Sequence, residues 1–191
     1  MLTHPDLDHI GGAKVITEAF APHFIMDPAQ AVGKDAYVDV LAVATAGRIP
    51  WIEARRGFVL EFDGARLKVL HPDGLAATPT GKSHSNTQSV VVLVQYGACD
   101  ALLTGYAPTE VEEGLLADLP GEMELLKVGH HGSNTSTSPD LLSKTSPALA
   151  VISVGVRNRY GHPHSEVVQL LLDAGVGVLR TDPMGHIRVR A

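Results

Sequence analysis

The stretch Leu2–Gly12, "LTHPDLDHIGG", places His4, Asp6, Asp8 and His9 within six positions and follows them at once with Gly11 and Gly12. Imidazole and carboxylate are both good ligands for divalent metals. A tight loop presents alternate side chains to one point and the next pair to a neighbouring point, which suits two adjacent ions. The glycine pair lets the backbone turn close to such ions and start a helix. The plainer reading is a solvated polar loop with an aspartate helix cap.

Working outward, the other polar signals also fall at strand ends. "TH" closes what reads as a very short strand at Leu2–Thr3. "TGY" follows Ala101–Thr104. "GHHGSNTS" follows Met123–Val128, and "GVRNRYGHPH" follows Ala148–Ser153. In α/β folds the loops beyond one set of strand ends build sites, so several histidine-bearing loops are expected to converge on one rim. His130 and His131 stand between Gly129 and Gly132, and His162 and His164 flank a proline just before a helix. Each has a plainer alternative, a surface histidine pair and an ordinary capped turn. His84, in "KSHSNTQS", is a further candidate ligand or a loop histidine. No GxSxG, Ser-His-Asp arrangement or glycine-rich phosphate loop stands out.

The remaining pattern alternates strands and helices. Phe58–Phe62 and Arg66–Leu70 read as a hairpin joined at Asp63–Gly64, and Ser89–Tyr96 is the densest valine run. Further strands are expected at Val176–Arg180 and His186–Val189. Helices are expected at Ala13–Phe20, Asp35–Ala46, Thr109–Leu119, Pro139–Lys144 and Glu166–Ala174, the last two introduced by Ser138 and Ser165. The mixture of hairpins and βα units predicts an α/β sandwich. His71–Gln88 reads as a long loop.

With 191 residues, 45% of them hydrophobic and 19% charged, the chain suits one folded domain, 1–191. A net charge of −6 leaves no basic stripe for wrapping nucleic acid through phosphate contacts alone. A bound metal supplies positive charge locally, so a phosphodiester substrate stays open. The single Cys99 excludes an internal disulfide. There is no apolar run of about 18 residues, and the polar start does not read as a signal peptide, so the chain reads as soluble.

Five segments, "LTHPDLDHIGG", "LLTG", "LLKVGHHGSNTSTS", "VISVGVRNRYGHPHSEV" and "LRTDPMGHIRV", together resemble the successive motifs of the metallo-β-lactamase-fold domain of ComEC-type DNA-internalisation competence proteins. The resemblance spans the chain. It implies an αβ/βα sandwich with a two-metal rim site and hydrolysis of a phosphodiester, in the competence branch DNA. By the resemblance, His4 and Asp6 hold one ion of Zn²⁺ or Mn²⁺, and Asp8, His9 and His162 the other. His130 is a ligand or faces the substrate, and His131 protonates the leaving group. It also implies strands ahead of the first motif, which nothing here matches, and attachment to a membrane channel domain absent from this chain, at the outer face of the cytoplasmic membrane. After "LLTG" the family usually has a metal-bridging aspartate; here stands Tyr106. Either the phenol sits at the bridging point and weakens the second ion, or it packs over the site while another carboxylate bridges. Two further functions remain open beside the nuclease: a catalytically impaired binding or structural domain, and a small-molecule phosphoesterase.

Overall fold

The computed structural model describes residues 1–30, 33–74 and 86–190. Its centre is a seven-stranded mixed sheet in the order β3-β4-β5-β6-β7-β8-β9. β3 (Val59–Phe62), β4 (Ala65–His71), β5 (Val91–Tyr96) and β6 (Cys99–Leu103) run antiparallel to their neighbours. β7 (Leu125–Lys127), β8 (Leu149–Ile152) and β9 (Gly177–Arg180) continue parallel to β6.

The chain's local chemistry explains that switch. Asp63 and Gly64, at φ 48° and 78°, form the tight turn that pairs Phe62 with Ala65. Gly97, at φ 58°, serves the β5–β6 hairpin. Parallel strands need crossovers, and these are α4 (Thr109–Leu115), α5 (Pro139–Thr145) and α6 (Ser165–Asp173). Ser138 caps α5, its Oγ accepting from the Leu141 amide at 3.2 Å, with Pro139 at the first helical position. α6 starts one residue earlier than its sequence signal, with His164 rather than Ser165 at the cap position.

β5 is central, so its valines are buried on both faces. Val91 and Leu93 join Leu102, Leu126, Leu141, Ala150 and Leu171 in a core under α4–α6, whereas Val92 points the other way. On that second face Val92, Val90 and Val69 meet Met26 and Ala54. These belong to a two-stranded parallel sheet, β1 (Ile25–Asp27) and β2 (Trp51–Glu53), and its flank. Helices α2 (Ala13–Phe20) and α3 (Asp35–Ala46) cover the outside of this small sheet through Ala13, Val40 and Ala44. The layers are therefore helix, sheet, sheet, helix, the expected αβ/βα sandwich.

Three expectations are corrected. Leu2–Thr3 is not a strand: its amide and carbonyl are used singly, Leu2 N–H to Met26 O at 2.8 Å and Val90 N–H to Thr3 O at 2.9 Å, tying the small sheet to the large one. His186–Val189 alternates in polarity but pairs with no strand among the described residues; β9, the last strand of the large sheet, is followed instead by the one-turn helix Thr181–Met184. α4 stops at Leu115 rather than Leu119. The strands β1 and β2 and the one-turn helices α1 (Leu7–Ile10) and α7 (Thr181–Met184) carried no expectation. Among the described residues no helix is long and apolar enough to cross a membrane.

Candidate metal centre

Three rim loops meet. The first turns on α1: the Asp6 carbonyl accepts from the His9 and Ile10 amides, both at 2.9 Å, and Ile10, 1% exposed, plugs the turn into the core. The second is the Gly129–Gly132 turn after β7. His130 and His131 both hold left-handed backbone, at φ 44° and 54°, which costs an L-residue roughly 1–2 kcal/mol each. The surroundings fix this turn. Buried Glu112 of α4 accepts from the Thr137 and Ser138 amides at 2.6 and 2.8 Å, and a Cβ on Gly132 would lie 2.5 Å from Pro163 Cβ. The third loop ends at His162, clamped by Asn158, which donates to its carbonyl at 2.7 Å and accepts from its amide at 2.9 Å.

The side chains converge on Asp8. Its Oδ2 accepts from the Tyr106 hydroxyl at 2.5 Å and lies 3.1 Å from His131 Nε2 and 3.7 Å from His9 Nε2. His131 Nδ1–H donates to the Ser153 carbonyl at 2.5 Å. A neutral His131 ring therefore turns an electron pair at Nε2 toward a carboxylate oxygen, and a cation belongs between them. Among the described residues, Asp8, His9 and His131 form a group whose ligand atoms all lie within 4.8 Å of one another.

Thr3 organises two of the imidazoles. Its Oγ1 is 3.1 Å from both His4 Nδ1 and His9 Nδ1. A hydroxyl oxygen has two lone pairs, so both Nδ1–H groups can donate to it, which leaves both Nε2 atoms as lone-pair donors. Among the described residues those buried Nε2 atoms have no hydrogen-bond partner, and neither has His162 Nδ1. Buried polar groups are normally satisfied, and the unsatisfied Nε2 lone pair of His9 beside the Asp8 carboxylate fits a divalent metal.

Protonation states agree with that fit. Burial, reinforced by the neighbouring His9, lowers His4 to about 3. Burial, with His162 and His131 nearby, lowers His130 to about 4, and burial also lowers His9 and His162. These rings are neutral at pH 7 and able to ligate. Burial alone would raise Asp8, but the hydrogen bond from the Tyr106 hydroxyl opposes it and the carboxyl is held at about 2. Burial and the bond to Asp8 push the Tyr106 phenol up, so it stays protonated and donates.

The two halves of the expected site differ. His4 and Asp6 lie outside the Asp8–His9–His131 group, with His4 Nε2 3.8 Å from Asp6 Oδ2 and the Lys34 ammonium on the other Asp6 oxygen. The Tyr106 ring packs 4.0 Å from His130, stacked on it, and 4.1 Å from His4. His130, placed among the ligands by resemblance, thus lies against Tyr106, while His131 stands with Asp8 and His9. His162 lies 5.6 Å from the His130 ring and 5.0 Å from that of His164. His164 Nδ1 accepts from the Asn134 amide at 3.3 Å, which joins two of the loops. His84 lies outside the described residues. Sequence reasoning passed over Thr3, Lys34, Asn158 and the Ser153 carbonyl. Of these, only the adjacency of Thr3 to His4 and of Asn158 to the histidine pair left any trace in the sequence.

Comparison with known proteins gives this geometry relatives. The family profile described as Metallo-beta-lactamase superfamily matches residues 1–156. The chain is 36% identical over 191 residues to ComE operon protein 3 of Bacillus subtilis, covering 100% of this chain and 24% of that protein. It is 32% identical over 193 residues to Competence protein ComA of Neisseria gonorrhoeae, covering 98% of this chain and 24% of that protein. The chain thus spans about a quarter of the length of these relatives. Among solved structures, a putative metal-dependent hydrolase from Parabacteroides distasonis superposes with a TM-score of 0.56 at 12% identity, over 95% of this chain and 74% of that one, a likeness of fold.

Proposed function

The chain belongs to the metallo-beta-lactamase superfamily, and from that premise we propose that it is a metal-dependent phosphodiesterase acting on DNA or a chemically similar phosphodiester. The observation that carries this reading is the convergence of Asp8, His9 and His131 within 4.8 Å, with Nε2 of His9 buried and unpartnered. Asp8, His9 and His131 would hold the ion, Zn²⁺ or Mn²⁺. Bound there, a divalent ion supplies Lewis acidity toward a phosphoryl oxygen and toward a water nucleophile.

The chain's own residues do the rest. Tyr106 O–H holds Asp8 ionised and oriented. The Ser153 carbonyl fixes the His131 tautomer. His130 and His162 are neutral and half-buried, and the unpartnered Nδ1 of His162 is free to donate to a phosphoryl or leaving-group oxygen. The names of the competence relatives motivate DNA as the substrate, and their greater length motivates a tether to a membrane channel domain. The absence of a carboxylate at Tyr106 favours a second reading, a metal-holding domain that binds without turnover.

The test is hydrolysis of bis(p-nitrophenyl) phosphate and of a labelled single-stranded oligonucleotide with Mn²⁺ or Zn²⁺. Turnover abolished by EDTA, and lost together with metal affinity in His131→Ala, is expected. Activity confined to β-lactams or thioesters would overturn the substrate class, and metal uptake without any turnover would select the second reading.

A further inference from the structure

We propose that the Lys34 ammonium is the second cation of this centre: it occupies the His4/Asp6 half and holds the protein at one divalent ion per chain. The inference rests on the reading of Asp8, His9 and His131 as the ion's ligands and extends it to the other half of the site.

Lys34 contacts Asp6 Oδ1, while Asp6 Oδ2 stands 3.8 Å from His4 Nε2. Both members of the ion pair spring from fixed backbone. The Asp6 carbonyl caps α1. The Lys34 carbonyl accepts from the Tyr37 and Val38 amides at 2.9 and 3.0 Å, so the residue is the N-terminal boundary of α3. That helix start is braced in turn. Tyr37 O–H donates to Asp27 Oδ2 at 2.5 Å and Trp51 Nε1–H to Asp27 Oδ1 at 2.7 Å, on a carboxylate only 1% exposed at the end of β1. The lysine is thus launched toward Asp6 by a helix docked on the small sheet.

Charge decides what this half accepts. Asp6 contributes one negative charge and Lys34 cancels it, while His4 spends its Nδ1–H on Thr3. Tyr106 offers no charge to share between two ions, because its hydroxyl is spent as a donor on Asp8. A dication entering beside His4 and Asp6 would meet an ammonium already in contact with Asp6. The half-exposed ammonium keeps open faces, and a lysine acts on phosphoryl oxygens as a point charge, so it can meet an anionic substrate oxygen where another protein would use a metal.

The experiment titrates metal-free protein with Zn²⁺ and, separately, Mn²⁺ by calorimetry, with elemental analysis of the loaded protein. Wild type is expected to bind one ion per chain tightly. Lys34→Met keeps the stem and removes the charge. It is expected to bind a second ion, with that affinity improved roughly tenfold or more. Lys34→Arg, which keeps the charge, is expected to stay at one. Adding Asp6→Asn to Lys34→Met is expected to remove the second ion again. A Lys34→Met variant that still binds one ion, a wild type that binds two ions equally well, or a second ion that survives Asp6→Asn would each overturn the inference. Absence of phosphodiester hydrolysis with these stoichiometries intact would overturn only the proposed function. A wild type that binds no ion would overturn both.

Discussion

His4 and His9 sit five residues apart on one loop, reach the same Thr3 hydroxyl at 3.1 Å, and end in buried Nε2 atoms without partners. Yet of the two, only His9 stands in a ligand group among the described residues. The difference comes from other parts of the chain. His9 is met by Asp8 and by His131, which the strained turn after β7 delivers and the Ser153 carbonyl orients. His4 is met by Asp6, already engaged by Lys34, and by the face of Tyr106. Identical donors on one loop therefore do not make equivalent sites. A centre is completed by what the neighbouring strand ends bring to it.

The sharpest way to break this comparison is to delete each imidazole in turn. His9→Ala removes a donor from the group that holds the ion and is expected to weaken metal binding at least roughly 10²-fold. His4→Gln is expected to leave the affinity for the first ion within a few-fold, although it disturbs a buried position. Calorimetric titration of the metal-free variants measures both. Equal losses in the two variants would show that the halves act as one site.

A milder change acts on both halves together. Thr3→Val keeps the shape of the side chain and removes the shared acceptor, so His9 Nδ1–H loses its acceptor and His4 Nδ1 is left with the longer 3.4 Å contact to Ser89 Oγ. Loss of such an orienting partner typically costs 10–100-fold in metal affinity, roughly the loss expected here. Thr3→Ser should restore most of it. An unchanged affinity in Thr3→Val would show that burial alone orients the rings.

How much of this was legible in the sequence follows from the range of the forces involved. The Asp63–Gly64 turn, the valine run of β5 and the Ser138–Pro139 start of α5 are local signals, and they mark real boundaries. β1 and β2 are three residues each, too short for a period to show, and they pair in parallel across the intervening α3. The His186–Val189 alternation is a local preference that pairs with no strand among the described residues. The same division runs through the site. "HPDLDH" and "GHHGS" announce ligand-type residues at strand ends. Which histidine of the pair faces Asp8 depends on two left-handed φ angles set by Glu112 and Pro163 from other elements. Lys34 was invisible because its approach to Asp6 exists only once α3 has docked on the small sheet.

The smallest expected effect separates the two halves by pH in the metal-free protein. His4 protonates at about 6.5 in an unfolded chain but near 3 when folded. As pH falls below about 6.5 the unfolded state takes up a proton that the folded state refuses, so the stability this burial permits at neutral pH is lost progressively down to about 3. His130, lowered to about 4, and His9, also lowered, act on the same limb. Asp8 acts elsewhere. Its folded value of about 2 against 3.8 unfolded contributes stability above 3.8, lost only as pH falls toward 2. The buried histidines should therefore lower the melting temperature in EDTA between pH 7 and pH 5, while Asp8 contributes nothing to that change. His4→Gln should reduce that drop by a few degrees, at roughly 2–4 °C per kcal/mol for a chain of this size. Tyr106→Phe removes a hydrogen bond to a charged acceptor, worth about 1.5–3 kcal/mol, and should lower the melting temperature at both pH values while leaving their difference unchanged. A pH 7-to-5 difference that His4→Gln leaves intact and Tyr106→Phe abolishes would place the acid-sensitive charge on the Asp8 side and invert the assignment of the two halves.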